Sequence, residues 1–155
     1  MKIKSALIMS LLWVQAYACN QNSHPAAENN SNNTTIADSM KLKITVGEKV
    51  FTSTVHNNET TTAFKARLPL TINMKELNGN EKYFDLPDNL PANASNPGTI
   101  QTGDLMLYGS NTLVLFYKSF STSYNYTRLG RIDNPSGLAA ALGSGNITVK
   151  YELSK

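Results

Sequence analysis

The sequence predicts a mainly-β domain of about eight short strands with two short helices, folded as a sandwich or a closed barrel. Apolar and polar residues alternate over several segments from residue 41 onward, which is typical of half-buried strands. Turn signals rich in Gly, Pro and Asn separate these segments. Each of the predicted strands is four to seven residues long, and they cover residues 42–46, 50–55, 70–74, 83–86, 104–108, 112–117, 127–132 and 147–153.

The strands differ in how their apolar residues are arranged. Residues 42–46 alternate, and Gly47-Glu48 supplies the turn of a hairpin to residues 50–55. Residues 112–117 are almost continuously apolar, which predicts a strand buried on both faces. A further turn is predicted at residues 77–80.

Two helices are predicted between the strands. The first covers residues 60–68, with a threonine as N-cap and Pro69 as its stop, and the second covers residues 137–142 and ends at Gly143. Residues 87–103 carry several prolines and glycines, and we expect a long ordered loop or a mixture of strand and loop. Residues 118–126 are expected to form a loop of polar and aromatic residues.

The N-terminal region is typical of an exported protein. Residues 1–18 combine a short basic start with an apolar stretch, and they end in Ala16-Tyr17-Ala18, a small-x-small cleavage site that indicates a signal peptide. Cys19 follows at once, as in a bacterial lipobox, and we expect it to carry a lipid anchor. Ordinary cleavage after Ala18, giving a soluble periplasmic or secreted protein, is the alternative. Residues 19–39 then form an Asn/Ser-rich, disordered linker, and the folded domain spans residues 40–155.

Composition argues against several functions. Removing residues 1–18 leaves 12 basic against 11 acidic residues, scattered along the chain, which argues against a nucleic-acid partner. Cys19 is the single cysteine, so no intramolecular disulfide can form. His24 and His56 are the only histidines and no cluster has metal-ligand spacing, so we expect neither a metal nor a cofactor. We expect a monomer.

Three stretches carry a resemblance to a known family: residues 58–69, residues 103–117, and residues 129–138 with Gly130 before a basic residue. Together they resemble the bacterial cyclophilin-like domain proteins over residues 41–153. The resemblance implies a closed eight-stranded β-barrel with two short helices. It also implies a groove on the side of the barrel, which cyclophilins use to bind and isomerise Xaa-Pro peptides.

Site residues follow from the same resemblance. In cyclophilins an arginine polarises the prolyl amide, and its strand should correspond to residues 81–86, where Lys82 is the only cation. A lysine lacks the planar guanidinium fork, so Lys82 and Arg128 are only candidate catalytic residues. Tyr126 stands where cyclophilins place a histidine on the groove rim. The expected groove residues are Tyr83, Met106, Phe116, Tyr117, Phe120, Tyr124, Tyr126 and Arg128.

These expectations favour a binding module over an enzyme. The leading interpretation is an exported, lipid-anchored domain of the bacterial cell envelope that binds a peptide or small molecule without covalent chemistry. It would have little or no isomerase activity. The alternative is an extracytoplasmic peptidyl-prolyl isomerase acting on envelope proteins. A third interpretation is an accessory domain to an enzyme on another chain.

Overall fold

The computed structural model describes residues 41–154, which contain ten strands and two helices. In chain order the elements are β1 (Lys41–Val46), β2 (Lys49–Val55), α1 (Glu59–Lys65), β3 (Leu70–Leu77), β4 (Glu81–Asp85), β5 (Thr99–Ile100), β6 (Asp104–Tyr108), β7 (Thr112–Phe116), β8 (Phe120–Ser121), β9 (Thr127–Ile132), α2 (Leu138–Leu142) and β10 (Ile147–Leu153). Within these residues, no helix is long and apolar enough to cross a membrane.

Eight of the strands form a closed antiparallel barrel in the order β1-β10-β3-β4-β7-β6-β9-β2. The β1–β2 hairpin turns at Gly47-Glu48, as predicted. β2 then pairs with β9, which closes the barrel and leaves these strands no free edge. The prediction of a closed eight-stranded barrel with two short helices is confirmed.

The structure corrects three local predictions. Helix α1 covers Glu59–Lys65 rather than residues 60–68, and its N-cap is Asn58, whose Oδ1 accepts the Thr61 N–H at 2.8 Å. Asparagine caps as well as threonine does because its carbonyl reaches the free N–H groups of the first turn. β8 lies within the segment expected to be a loop, where it pairs with β5. Two-residue strands of this kind are too short to show a period.

The apolar residues form two cores on opposite sides of the barrel wall. The large core fills the barrel interior and includes Leu113 and Leu115 of β7. The smaller core lies outside the wall and consists of Ile100, Met106, Val114, Phe116 and Tyr126, with Tyr83 and Phe120 packed against it. Successive residues of a strand point to opposite faces, so β7 is buried on both sides, as its apolar run predicted.

The outer core exists because two loop segments cover the wall there. Ser95 and Tyr126 exchange two backbone hydrogen bonds of 3.0 Å, and the Thr122 N–H donates to the Gly98 carbonyl at 2.9 Å. Together with the β5–β8 pair, these bonds hold residues 117–126, hereafter the aromatic loop, against the segment before β6.

Candidate binding groove

A groove of about 540 Å³ runs along the outer face of β4 and β7, beside the aromatic loop. The β3–β4 turn closes one end of it. Asn78 and Gly79 both adopt positive φ angles there, of 57° and 68°, and the Asn80 N–H donates to the Leu77 carbonyl at 3.4 Å across the turn. The groove is lined by Leu77, Asn78, Asn80, Glu81, Tyr83, Asp85, Tyr108, Thr112, Val114, Phe120, Ser121, Thr122, Ser123, Tyr124 and Tyr126.

Aromatic rings make up one wall of the groove. The ring of Tyr108 lies 5.6 Å from that of Tyr126 and 6.1 Å from that of Tyr124, measured between centroids. Tyr126 rests edge-on against Phe116 at 5.5 Å, which supports it from the outer core. Tyr108 and Tyr124 are 45% and 62% exposed. Large exposed rings that gather at one place on a surface mark a binding site more often than scattered ones do.

Glu81 contributes a buried carboxylate to the groove. Its residue surface is only 9% exposed, and its side chain makes no hydrogen bond or ion pair with any residue in the range 41–154. Burial, with a smaller contribution from the negative charge of Glu76, raises the pKa of Glu81 to about 7. Asp85, four residues further along the strand and on the same face, accepts a hydrogen bond from Thr112 Oγ1 at 2.7 Å.

Asn80 adds a second acceptor without a donor. Its Oδ1 is buried and has no hydrogen-bond partner among the described residues. Its backbone carbonyl is satisfied, since it accepts the Tyr117 N–H at 2.9 Å. A buried acceptor left without a donor costs about 1–3 kcal/mol, so the unpartnered Oδ1 of Asn80 calls for an explanation.

Lys82 points the other way, into the barrel. It is completely buried, and its Nζ donates to the carbonyls of Gly143 and Gly145 at 2.8 and 2.7 Å and to the Glu76 carboxylate. Its ammonium also lies 5.4 Å from the centroid of the Tyr117 ring. Lys82 follows Glu81 in an extended strand, so its side chain takes the opposite face.

The other residues expected in the groove fall into four places. Tyr83, Phe120, Tyr124 and Tyr126 line it. Met106 and Phe116 lie beneath it in the outer core, and Tyr117 lies at the barrel end, where its hydroxyl donates to Glu76 at 2.9 Å. Arg128 is half-buried on β9 and is not part of the lining. Cys19 lies outside the described residues.

Sequence reasoning missed Glu81, Asn80 and Tyr108. Two of them could have been found from the two-residue alternation of side chains along a strand. Glu81 shares a strand face with Tyr83, and Tyr108 shares one with Met106, and both of those partners were expected in the groove. Asn80 carried no such signal, because it lies in a turn whose side-chain directions depend on the turn type.

Within residues 41–154, the lining of the groove contains two carboxylates and no lysine, arginine or histidine. Those residues also contain no group of three or more His, Cys, Asp or Glu side chains placed to hold a metal ion. The arrangement can therefore stack against a ligand and form hydrogen bonds to it, and the described lining residues themselves supply no positive charge.

The barrel with a groove on its flank defines a known class of fold. The cyclophilin-like family matches residues 44–152, and the chain belongs to that family. The chain is also similar to the solution structure of a hypothetical protein from Archaeoglobus fulgidus, with a TM-score of 0.53 and 19% identity, over 75% of this chain and 95% of the other. At that identity the likeness concerns the fold alone. A comparison with curated proteins finds no match.

Proposed function

We propose that this protein is an exported binding module that holds a peptide or small molecule in the groove without covalent chemistry and with little or no prolyl isomerase activity. The observation that carries the proposal is the composition of the groove. Aromatic rings and unpartnered acceptors line it, and a cation is missing from its described lining. These features suit recognition of a ligand rather than electrophilic catalysis.

The chemistry of prolyl isomerisation explains why the missing cation matters. Rotation about an amide bond meets a barrier of about 18–20 kcal/mol because resonance is lost in the twisted state. An enzyme lowers it by placing fixed charge or donors where the transition state needs them. Lys82 is already bound to Glu76 and two carbonyls inside the barrel. Rotation about the prolyl amide bond is assisted when positive charge or a donor draws electrons away from the amide. The negative charges of Glu81 and Asp85 would oppose this effect.

An assay of isomerisation with an Ala-Xaa-Pro-Phe peptide and the full-length chain tests this proposal. We expect no rate above that of the buffer, for the protein and for an Arg128→Ala variant alike. Catalysis that disappears in Arg128→Ala would instead establish the alternative, an extracytoplasmic isomerase that acts on envelope proteins. Chemical-shift changes in the groove with the same peptide, without catalysis, would support a binding module.

Export and lipid anchoring belong to the same proposal and rest on residues 1–19 alone. A lipid on Cys19 would hold the domain at the bacterial envelope, on the linker of residues 20–39. Replacing Cys19→Ser should move the protein from the membrane fraction to the soluble fraction. Retention of the Cys19→Ser variant in the membrane fraction would contradict the anchor, and a wild-type protein already soluble would favour the periplasmic or secreted form.

A further inference from the structure

We propose that the groove takes an organic cation with N–H donors, such as the ammonium or guanidinium group of a lysine or arginine side chain or of a free amine. The inference rests on the proposed binding function and names the chemistry of its ligand. It follows from unpartnered acceptors, aromatic faces and the sign of the local charge.

Two hydrogen-bond acceptors of the groove lack a donor among the described residues. Glu81 is nine-tenths buried and lines the groove without a partner among the described residues, and Asn80 Oδ1 beside it is buried and unpartnered as well. An ammonium or guanidinium group carries several N–H donors and accepts none. One such group could supply the donor that either acceptor lacks. Hydrogen bonds between charged partners are about twice as strong as neutral ones.

The aromatic wall suits the same group. A cation within about 6 Å of the centroid of a tyrosine ring is attracted to the face of that ring. Lys75 already illustrates this at the groove, since its Nζ lies 5.7 Å from the centroid of the Tyr83 ring. Tyr108, Tyr124 and Tyr126 offer further rings beside the two acceptors.

The local charge selects the sign of the ligand. Glu81 and Asp85 are the ionisable acids of the lining, and Lys82, the nearest cation along the chain, is turned away and paired with Glu76. Lys75 reaches the Tyr83 ring but makes no ion pair with Glu81. The described lining itself carries two acids and no base, which favours a cationic over an anionic ligand.

Protonation of Glu81 gives the inference a pH dependence. The groups around Glu81 are Glu76 on β3, Tyr117 after β7 and Tyr126 before β9, with Asp85 on its own strand. The two tyrosines have pKa values raised to about 12 by burial, so they stay neutral while Glu81 titrates. The pKa of Glu81 is about 7, so a cation should bind more tightly as the pH rises through that value.

The test is a titration of the full-length chain, followed by NMR, with matched probes. The cationic probes are Nα-acetyl-lysine N-methylamide, its arginine counterpart and cadaverine. The neutral probe is the norleucine analogue, which keeps the carbon chain of lysine without its ammonium group. A Glu81→Gln variant removes the acceptor, and Glu48→Gln, on the exposed β1–β2 turn, removes the same charge elsewhere.

We expect the cationic probes to shift the resonances of Tyr83 and Tyr126 and to bind at least about tenfold more tightly than norleucine, as a lost charge-assisted hydrogen bond implies. Glu81→Gln should weaken cation binding by about tenfold, and Glu48→Gln should leave it unchanged. Tighter binding of the amino-acid derivatives than of cadaverine would point to a peptide side chain, and the reverse to a free amine.

Equal binding of norleucine and lysine derivatives, or a Glu81→Gln variant that binds cations as the wild type does, would overturn the inference. Binding of a neutral prolyl peptide in the groove, with no binding of cations, would also overturn it, yet would leave the proposed binding function standing. Loss of binding through misfolding is distinguished by thermal unfolding of Glu81→Gln, which we expect to be at least as stable as the wild type.

Discussion

Two glutamates on neighbouring strands of this barrel have pKa values shifted in opposite directions. Glu76 of β3 accepts hydrogen bonds from Lys82, the Tyr117 hydroxyl and the Gly79 N–H. Burial alone would raise its pKa, but these donors and the lysine charge outweigh burial and lower the pKa of Glu76. Glu81 of β4 has no such donor, and burial raises its pKa to about 7.

The difference shows that the position of a glutamate within one hairpin decides whether the fold supplies it with donors. β3 and β4 form a hairpin in which Glu76 is paired with Lys82 and Leu77 with Glu81. Because faces alternate along a strand, Lys82 supports Glu76 at the barrel end and cannot reach the groove. The fold supplies three donors to the Glu76 carboxylate and, within the described residues, none to that of Glu81.

Removing the Lys82 ammonium should have the largest effect on the free energy of unfolding. Lys82→Met would leave the Glu76 carboxylate and the carbonyls of Gly143 and Gly145 without their donor, and breaking a buried ion pair costs about 3 kcal/mol or more. Urea unfolding at neutral pH measures it. Lys150→Met on β10 is the matched control, because the Lys150 side chain is 46% exposed and its ion pair lies at the surface. Similar losses in both variants would contradict the structural role assigned to Lys82.

Replacing Glu81 should change the free energy of unfolding in the opposite direction and stabilise the protein. The folded pKa of Glu81 is raised, so its unfolded form loses the proton first, and stability falls as the pH rises through about 7. Glu81→Gln cannot ionise. It should therefore be more stable than the wild type at about pH 8, on the order of 1–2 kcal/mol, with the gain absent below about pH 4.5. A loss of stability at pH 8 would show that Glu81 has a structural partner after all.

The smallest expected effect is on the pKa of Tyr117, whose hydroxyl donates a hydrogen bond to Glu76. Burial, the hydrogen bond to Glu76 and the charge of that carboxylate raise the pKa of Tyr117 to about 12. Glu76→Gln keeps the shape of the acceptor and removes the charge, so the pKa of Tyr117 should move back toward its ordinary value. Ultraviolet absorbance during an alkaline titration measures this change. A Glu81→Gln titration provides the comparison, since Glu81 contributes less to the shift than Glu76 does.

Much of the fold was predictable because it depends on local pattern. Alternation and turn residues gave the eight barrel strands, and the apolar run of β7 indicated its burial on both faces. The helix cap at Asn58 and the short strand β8 were not predictable. The cap competes with several threonines nearby, and β8 exists only because β5 lies opposite it.

The candidate groove was predictable only in part, for a similar reason. Its aromatic residues Tyr83, Phe120, Tyr124 and Tyr126 were expected from their clustering and from the family resemblance. Resemblance placed Lys82 there as well, although its side chain takes the opposite face.

The sequence by itself determined which residues share a strand face, since that depends only on the two-residue period of an extended chain. Tertiary structure decided which face each loop covers, and therefore that Glu81 is buried without a donor among the described residues while the half-buried Glu76 has three. Burial and hydrogen bonding depend on groups far apart in the chain, such as Gly143 and Gly145 beside Lys82. No local pattern in the sequence indicates such neighbours. By binding the Lys82 ammonium, they hold that positive charge away from the groove.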